Sequence, residues 1–235
     1  EPYPPFHDVQ MIVDGKAAAA LGELARERWR GAGCEDPVPA RPEREHDPWP
    51  DGLEPAFGDV DIAIARTQAE GQVREVEQLY LDTIAAARRF IYIENQYLTS
   101  HTVGAALVRR LEQAEGPEVV IVMPRETGGW LEQHTMDVLR VRLLQKLQAA
   151  DSHGRLRVYY ARLSRDPVVS LMVHAKVMVI DDRFLRVGSS NLSNRSMGLD
   201  TECDLALAAA RDEERTGAIQ QCRHSLLAEH LGTEP

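Results

Sequence analysis

The sequence predicts an α/β fold: a mostly parallel mixed sheet with helices on both faces. Three observations carry this. Apolar runs of strand length alternate with helical stripes from about residue 60 to the C-terminus. The runs FIYIEN (Phe90 to Asn95) and EVVIVM (Glu118 to Met123) are nearly continuous in their apolar character, which marks strands covered on both faces. Strands that alternate with helices indicate βαβ units, whose crossover helices supply that cover.

Taken in order, the chain opens with Val9, Met11 and Val13 in strand-like alternation. Ala17 to Trp29 is a run of strong helix formers with Leu21, Leu24 and Arg28 at helical spacing. His7-Asp8 reads as a turn or cap. Residues 32 to 58 are rich in proline and lack periodicity, so they read as a loop or draped arm. Val60 to Ala65 is the next strand. Val73, Val76, Tyr80, Ile84 and Ala87 stripe a helix, and Val103, Leu107, Leu111 and Ala114 stripe another. A third helix runs from about Leu131 to Ala150, and Leu156 to Tyr160 forms a strand. Asp166-Pro167 marks a turn before an apolar lead-in to Met172. Two short strands come next at Phe184 to Val187 and Cys203 to Ala208, and a last helix spans Asp212 to Leu231. The expected division is residues 1–58, a strand, helix and connecting arm, and residues 59–235, the main α/β domain.

Composition narrows the function. The 235-residue chain is long enough for a sizeable core, and its net charge is −10 with no Lys/Arg-rich block. That balance argues against a nonspecific nucleic-acid binder, although a local basic site can still hold one phosphate. Cys34, Cys203 and Cys222 lack metal-ligand spacing and read as reduced thiols. No signal peptide or membrane-spanning run is visible, and the chain opens on Glu1. A cytoplasmic or membrane-peripheral location is expected.

The chemistry concentrates between Val173 and Leu207, in VHAKVMVIDDRFLRVGSSN and the residues after it as far as ECDLAL. On a strand, His174 and Lys176 would share one face, about 7 Å apart. An imidazole can attack phosphorus or move a proton near neutral pH, and an ammonium stabilises phosphoryl charge. Ser189 and Asn191 add neutral hydrogen-bond donors. Glu202 is a carboxylate able to fix the imidazole tautomer. Ligands of open sheets bind beyond the carboxyl ends of the strands, where FIYIEN ends in Glu94, Asn95, Gln96 and Tyr97. The sequence therefore nominates Glu94, Gln96 and Tyr97 as substrate-binding, alongside a capping role for the first two.

This stretch resembles the phospholipase D superfamily. His174, Lys176 and Asp181 fit its HxKxxxxD motif, and Gly188, Ser189 and Asn191 fit the GSxN after it. Glu202 falls where that family has a histidine-orienting acid, and IYIENQY resembles a segment lining its substrate site. The opening HDVQ, with a helix ending in RW, is similar to the segment just after the first motif in two-motif members. The resemblance implies phospholipid hydrolysis or alcohol exchange through a phosphohistidine, without cofactor or metal. Lys176 and Asn191 would bind phosphate, Glu202 would orient His174, and Asp181 would be structural support.

No other histidine is followed two residues later by lysine, so the chain holds one motif where the mechanism needs two. The expected arrangement is a C-terminal catalytic half whose partner is a missing N-terminal half carrying the other motif, with His174 as acid/base. Its substrate would be a phospholipid, reached through peripheral membrane contact. The alternatives are a single-motif nuclease completed by a second copy of the chain, and a non-catalytic phosphate-binding remnant.

Overall fold

The computed structural model describes residues 5–35, 49–126, 130–165, 168–210 and 212–234. In chain order the elements begin with β1 (Phe6–His7), α1 (Gly15–Gly31), β2 (Ala63–Gln68), β3 (Val73–Arg74), α2 (Glu75–Ala86) and β4 (Phe90–Glu94). Next come α3 (His101–Leu111), β5 (Glu118–Val122), α4 (Trp130–Ala150), β6 (Leu156–Tyr159), β7 (Arg162–Arg165) and β8 (Val168–Ser170). The chain closes with β9 (Met172–Val173), β10 (Val177–Ile180), β11 (Phe184–Gly188), β12 (Glu202–Ala208) and α5 (Glu213–Leu231).

Two units divide the chain. The smaller, Met11–Asp59, carries α1. The larger combines Glu1–Gln10 with Val60–Pro235, so β1 belongs to the unit that carries the large sheet. Part of the expected arm, residues 36–48, lies outside the described residues, as do 127–129 and Asp166-Pro167.

Eight strands form one mixed sheet in the order β3-β2-β12-β11-β10-β4-β5-β6. Within this sheet five pairings are antiparallel, against the mostly parallel expectation, and the two parallel ones join β4, β5 and β6, where helices cross between successive strands. The motif half of the sheet is antiparallel because β10 and β11 are joined by a tight turn, which leaves no room for a crossover. Asp181 and Asp182 both take left-handed φ in that turn, a conformation aspartate tolerates better than most residues. Asp181 also accepts hydrogen bonds from the backbone N–H groups of Arg88, Arg89 and Phe90, each at 2.8 Å, and so ties the turn to the start of β4.

The strand period decides which helices cover which face. Ile91 and Ile93 of β4 join Met178 and Ile180 of β10 in the main core, with Tyr80 and Ile84 of α2, Leu107 and Leu111 of α3, and Leu147 of α4. Phe90, Tyr92 and Glu94 point the other way, toward α5. There Arg223 lies over the Phe90 ring at 4.6 Å and pairs with Asp182 at 2.7 Å. Helix ends carry ordinary signals: the Ser100 and Asp212 side chains cap α3 and α5, and Gly232 ends α5 at φ +66°.

The motif strand departs from the expected single strand. β9 pairs in parallel with β1, whereas β10 pairs with β4 and β11 in the large sheet. The chain passes from one pairing to the other across His174–Lys176. The pairing with β1 explains this. A two-residue strand carries too little pattern to be read from sequence, and its partner lies more than 160 positions away.

Candidate active site

His174 stands at the sheet switch, with its side chain 39% exposed. Three consecutive residues of the N-terminal segment hold it. Its backbone N–H donates to the His7 carbonyl at 2.8 Å. Its Nδ1 meets Asp8 Oδ2 at 3.1 Å. The Phe6 ring stacks on the imidazole at 5.1 Å between centroids. With Nδ1 engaged by a carboxylate, Nε2 is the nitrogen left for chemistry, because a neutral imidazole offers one donor and one acceptor. The carboxylate at Nδ1 is thus Asp8, from a pair whose sequence reads as a turn or cap. Its only local signal is the HDVQ resemblance.

Lys176 is 5% exposed, and its ammonium donates to the main-chain carbonyl of His174. Burial pulls its pKa down to about 8, against the opposing fields of Asp8 and Glu202. A lysine of this kind keeps its charge near neutrality but is ready to exchange a backbone acceptor for a stronger anion.

The GSSN loop is braced from beneath. Arg186, fully buried, donates through Nε to Asp204 at 2.7 Å, and the Ser190 hydroxyl donates to the same carboxylate at 2.6 Å. Asp204 also accepts the Ser190 backbone N–H at 3.1 Å. Gly188 is required here: a Cβ at that position would sit 1.9 Å from Asp204 Oδ1. Asn95, just past β4, accepts from the backbone N–H groups of Leu192 at 3.0 Å and Tyr97 at 3.1 Å, which ties the ENQY segment to the loop.

Within the loop, the Ser189 hydroxyl donates to Glu202 at 2.5 Å. Burial raises the Glu202 pKa above the carboxylate range, partly offset by hydrogen bonds from Ser189 and Ser196. Asn191 Oδ1 is buried with no protein partner. The structure therefore gathers His174 and Lys176 at one place, and Ser189, Asn191 and Glu202 along one loop and the start of β12. Asp181 is set apart, at the far end of β10, five residues or roughly 16 Å of strand from Lys176.

Glu94 is also set apart from solvent. Its carboxylate is 0% exposed and accepts from His7 Nε2 at 2.6 Å, from His230 Nε2 at 3.0 Å, and from the Tyr92 hydroxyl. Burial opposes its charge, yet these hydrogen bonds win and lower its pKa to about 2. Gln96 and Tyr97 are half-buried beyond the end of β4. Among the described residues, His7, Glu94 and His230 form the group whose ligand atoms could surround a metal ion, within 4.8 Å of one another. No helix of the described residues is long and apolar enough to cross a membrane.

Residues 80–222 match the family model described as cardiolipin synthase, PLD-like domain. The chain belongs to the phospholipase D superfamily. Curated relatives of this phospholipase D-like chain include phospholipase D alpha 1 of Carica papaya, 24% identical over 98% of this chain and 40% of the relative. Phospholipase D alpha 1 of Zea mays is 22% identical with the same coverage. The chain thus spans about 40% of the length of these plant relatives. Among solved structures, phosphatidylserine synthase of Haemophilus influenzae superposes with a TM-score of 0.55 at 18% identity, over 72% of this chain and 38% of that one. NucT from Helicobacter pylori gives a TM-score of 0.52 at 16% identity, over 74% of this chain and 98% of that one. At these identities the structural likeness concerns the phospholipase D fold alone.

Proposed function

We propose that this chain supplies one histidine half of a phosphodiester-transfer site acting on phospholipids. The observation that carries the reading is the state of His174: Nδ1 is held by Asp8 at 3.1 Å, so Nε2 presents one defined role beside a buried lysine. The relatives named phospholipase D favour a phospholipid over a nucleic acid, as does the net charge of −10.

In this scheme a second histidine attacks phosphorus through its own nitrogen, forming an N–P bond as the P–O bond to the leaving alcohol breaks. His174, protonated on Nε2, gives its proton to that departing oxygen. It then takes a proton from water or an acceptor alcohol, whose oxygen displaces the histidine nitrogen from phosphorus. Lys176 and Asn191 hold the equatorial oxygens, joined by Ser189 once its hydroxyl turns from Glu202. Asn191 would do so through its Nδ2 amide, since its unpartnered Oδ1 is an acceptor and takes an N–H or O–H instead.

The second histidine comes from another copy of the motif. Asp8, which serves His174, lies in a segment resembling the one just C-terminal to that other motif. By symmetry of the two halves, Glu202, which lies C-terminal to this motif, would serve the other histidine.

The test is turnover of a phosphatidylcholine analogue by the chain alone and by the chain joined to a segment carrying the second motif. The proposal expects activity in the joined protein and its loss in His174→Ala. A lone chain that is a stable dimer turning over at about 1 per second or more would replace it with the single-motif dimer.

A further inference from the structure

The buried cluster on the α5 side of β4 lies outside the reacting group, yet it is joined to it through one strand. His7 is 4% exposed and has a carboxylate at each ring nitrogen: Glu94 at 2.6 Å on Nε2 and Glu229 at 2.8 Å on Nδ1. A neutral imidazole has one N–H and can donate to only one of them. Both contacts are satisfied together only when the ring carries two protons. Around it stand Tyr92 and Glu94 from β4 and Glu229 and His230 from α5, the last with its ring 4.7 Å from that of His7.

This matters for His174 because β1 is so small. A two-residue parallel pairing with β9 offers few backbone hydrogen bonds and is marginal by itself. Yet everything that fixes the His174 ring comes from Phe6, His7 and Asp8: the stacking ring, the backbone acceptor and the carboxylate. The segment must be anchored by something else, and the His7 side chain is the part of it that reaches the sheet and α5.

We propose that His7 is a positioning residue: as an imidazolium clamped between Glu94 and Glu229, it pins the Phe6–Asp8 segment that sets the His174 ring. The inference rests on the reading of His174 as a reacting group. The elevated pKa agrees with it: burial opposes the charge, but Glu94 and then Glu229 raise the value to about 9.

A proton accounts for the cluster better than a metal ion does. Ligand atoms sharing a tetrahedral zinc at about 2.0–2.1 Å sit about 3.3 Å from each other. The His7–Glu94 separation of 2.6 Å is instead that of a charge-assisted hydrogen bond. Tyr92 and His230 also donate to the same Glu94 carboxylate.

The test uses His7→Ala and, as a milder change on an exposed carboxylate, Glu229→Gln. Two readouts are taken. The first is the imidazole nitrogen spectrum of His174 in the chain itself, which is independent of any catalytic role. The neutral ring of wild type should show one tautomer, with the proton on Nδ1. Both variants should show a tautomer mixture, larger in His7→Ala. The second is kinetics in the protein joined to the second motif. There His7→Ala should lower kcat on the order of 10²-fold with KM changed much less, as expected of a misplaced reacting group. An unchanged His174 tautomer in both variants overturns the proposal, as does stoichiometric bound metal in the purified chain. If His7→Ala does not fold, Glu229→Gln alone decides by the same spectrum. A His174→Ala variant that keeps full turnover would defeat the catalytic reading, while the tautomer result would still judge the clamp.

Discussion

The two sides of the site are held by different physics. The GSSN loop continues the large sheet and rests on a buried ion pair, Arg186 with Asp204, whose carboxylate also accepts from the Ser190 hydroxyl and backbone N–H. His174 sits on a two-residue strand outside that sheet and is fixed by titratable and aromatic side chains from the far N-terminus. One side is held by backbone and by charges buried from solvent. The other is held by a segment anchored through His7, whose pKa is raised to about 9. The frame of the GSSN loop should therefore vary little with pH, whereas the placement of the reacting imidazole should vary with it.

The largest effect should come from the reacting group itself. His174→Ala in the assembled protein should reduce phosphodiester turnover by several orders of magnitude, read by steady-state kinetics. Asp8→Asn should come next, with a loss of about 10²-fold or more in kcat, because an amide can present its N–H to Nδ1 and favour the wrong tautomer. A small effect for Asp8→Asn would erase the contrast, since His174 would then be held by its backbone and the Phe6 ring.

On the other side, Asp204→Ala should act on stability. It leaves Arg186 buried and unpaired, at a cost of about 3–5 kcal/mol, measurable by urea unfolding. Asp8→Asn should barely move the same unfolding curve.

The smallest effects are the pH dependences, and they separate the two sides most finely. The folded-state pKa of His7 lies above its ordinary 6.5, at about 9. Its contribution to stability is therefore complete below about 6.5 and is lost as pH rises through about 9. The stability of wild type to unfolding should fall across that window, and His7→Ala should flatten the change. Lys176 titrates lower, near 8, and loses its charge above that value. Oxyanion affinity should fall through pH 8 in wild type and hold to higher pH in Lys176→Arg, as arginine stays charged.

Much of the fold was legible because its signals are local. Periodicity marks α2 to α5 and β4 to β6, and most boundaries fall within a few residues of expectation. The helical stripe read from Val73 starts instead at Glu75, since Val73 and Arg74 pair with β2. The motif was legible as spacing. Its geometry was not. His174 and Lys176 lie between two pairings, and the partner that breaks the strand is a dipeptide near the chain start. Glu94 looked like a strand-end ligand group, because nothing in FIYIEN reveals that His7 and His230 close over it. Arg186 and Asp204 gave a fainter clue: each is one charge inside an apolar strand, FLRVG and CDLAL, and two such strands side by side suggest a buried pair.

The most direct measurement is the crystal structure of the chain with bound tungstate or vanadate. The account predicts the oxyanion against His174 Nε2, with the Lys176 ammonium turned from the His174 carbonyl onto it and the Asn191 side chain reaching it. An oxyanion settled elsewhere, or one at His174 that leaves Lys176 on the carbonyl, would contradict the claim that these residues form one phosphate site.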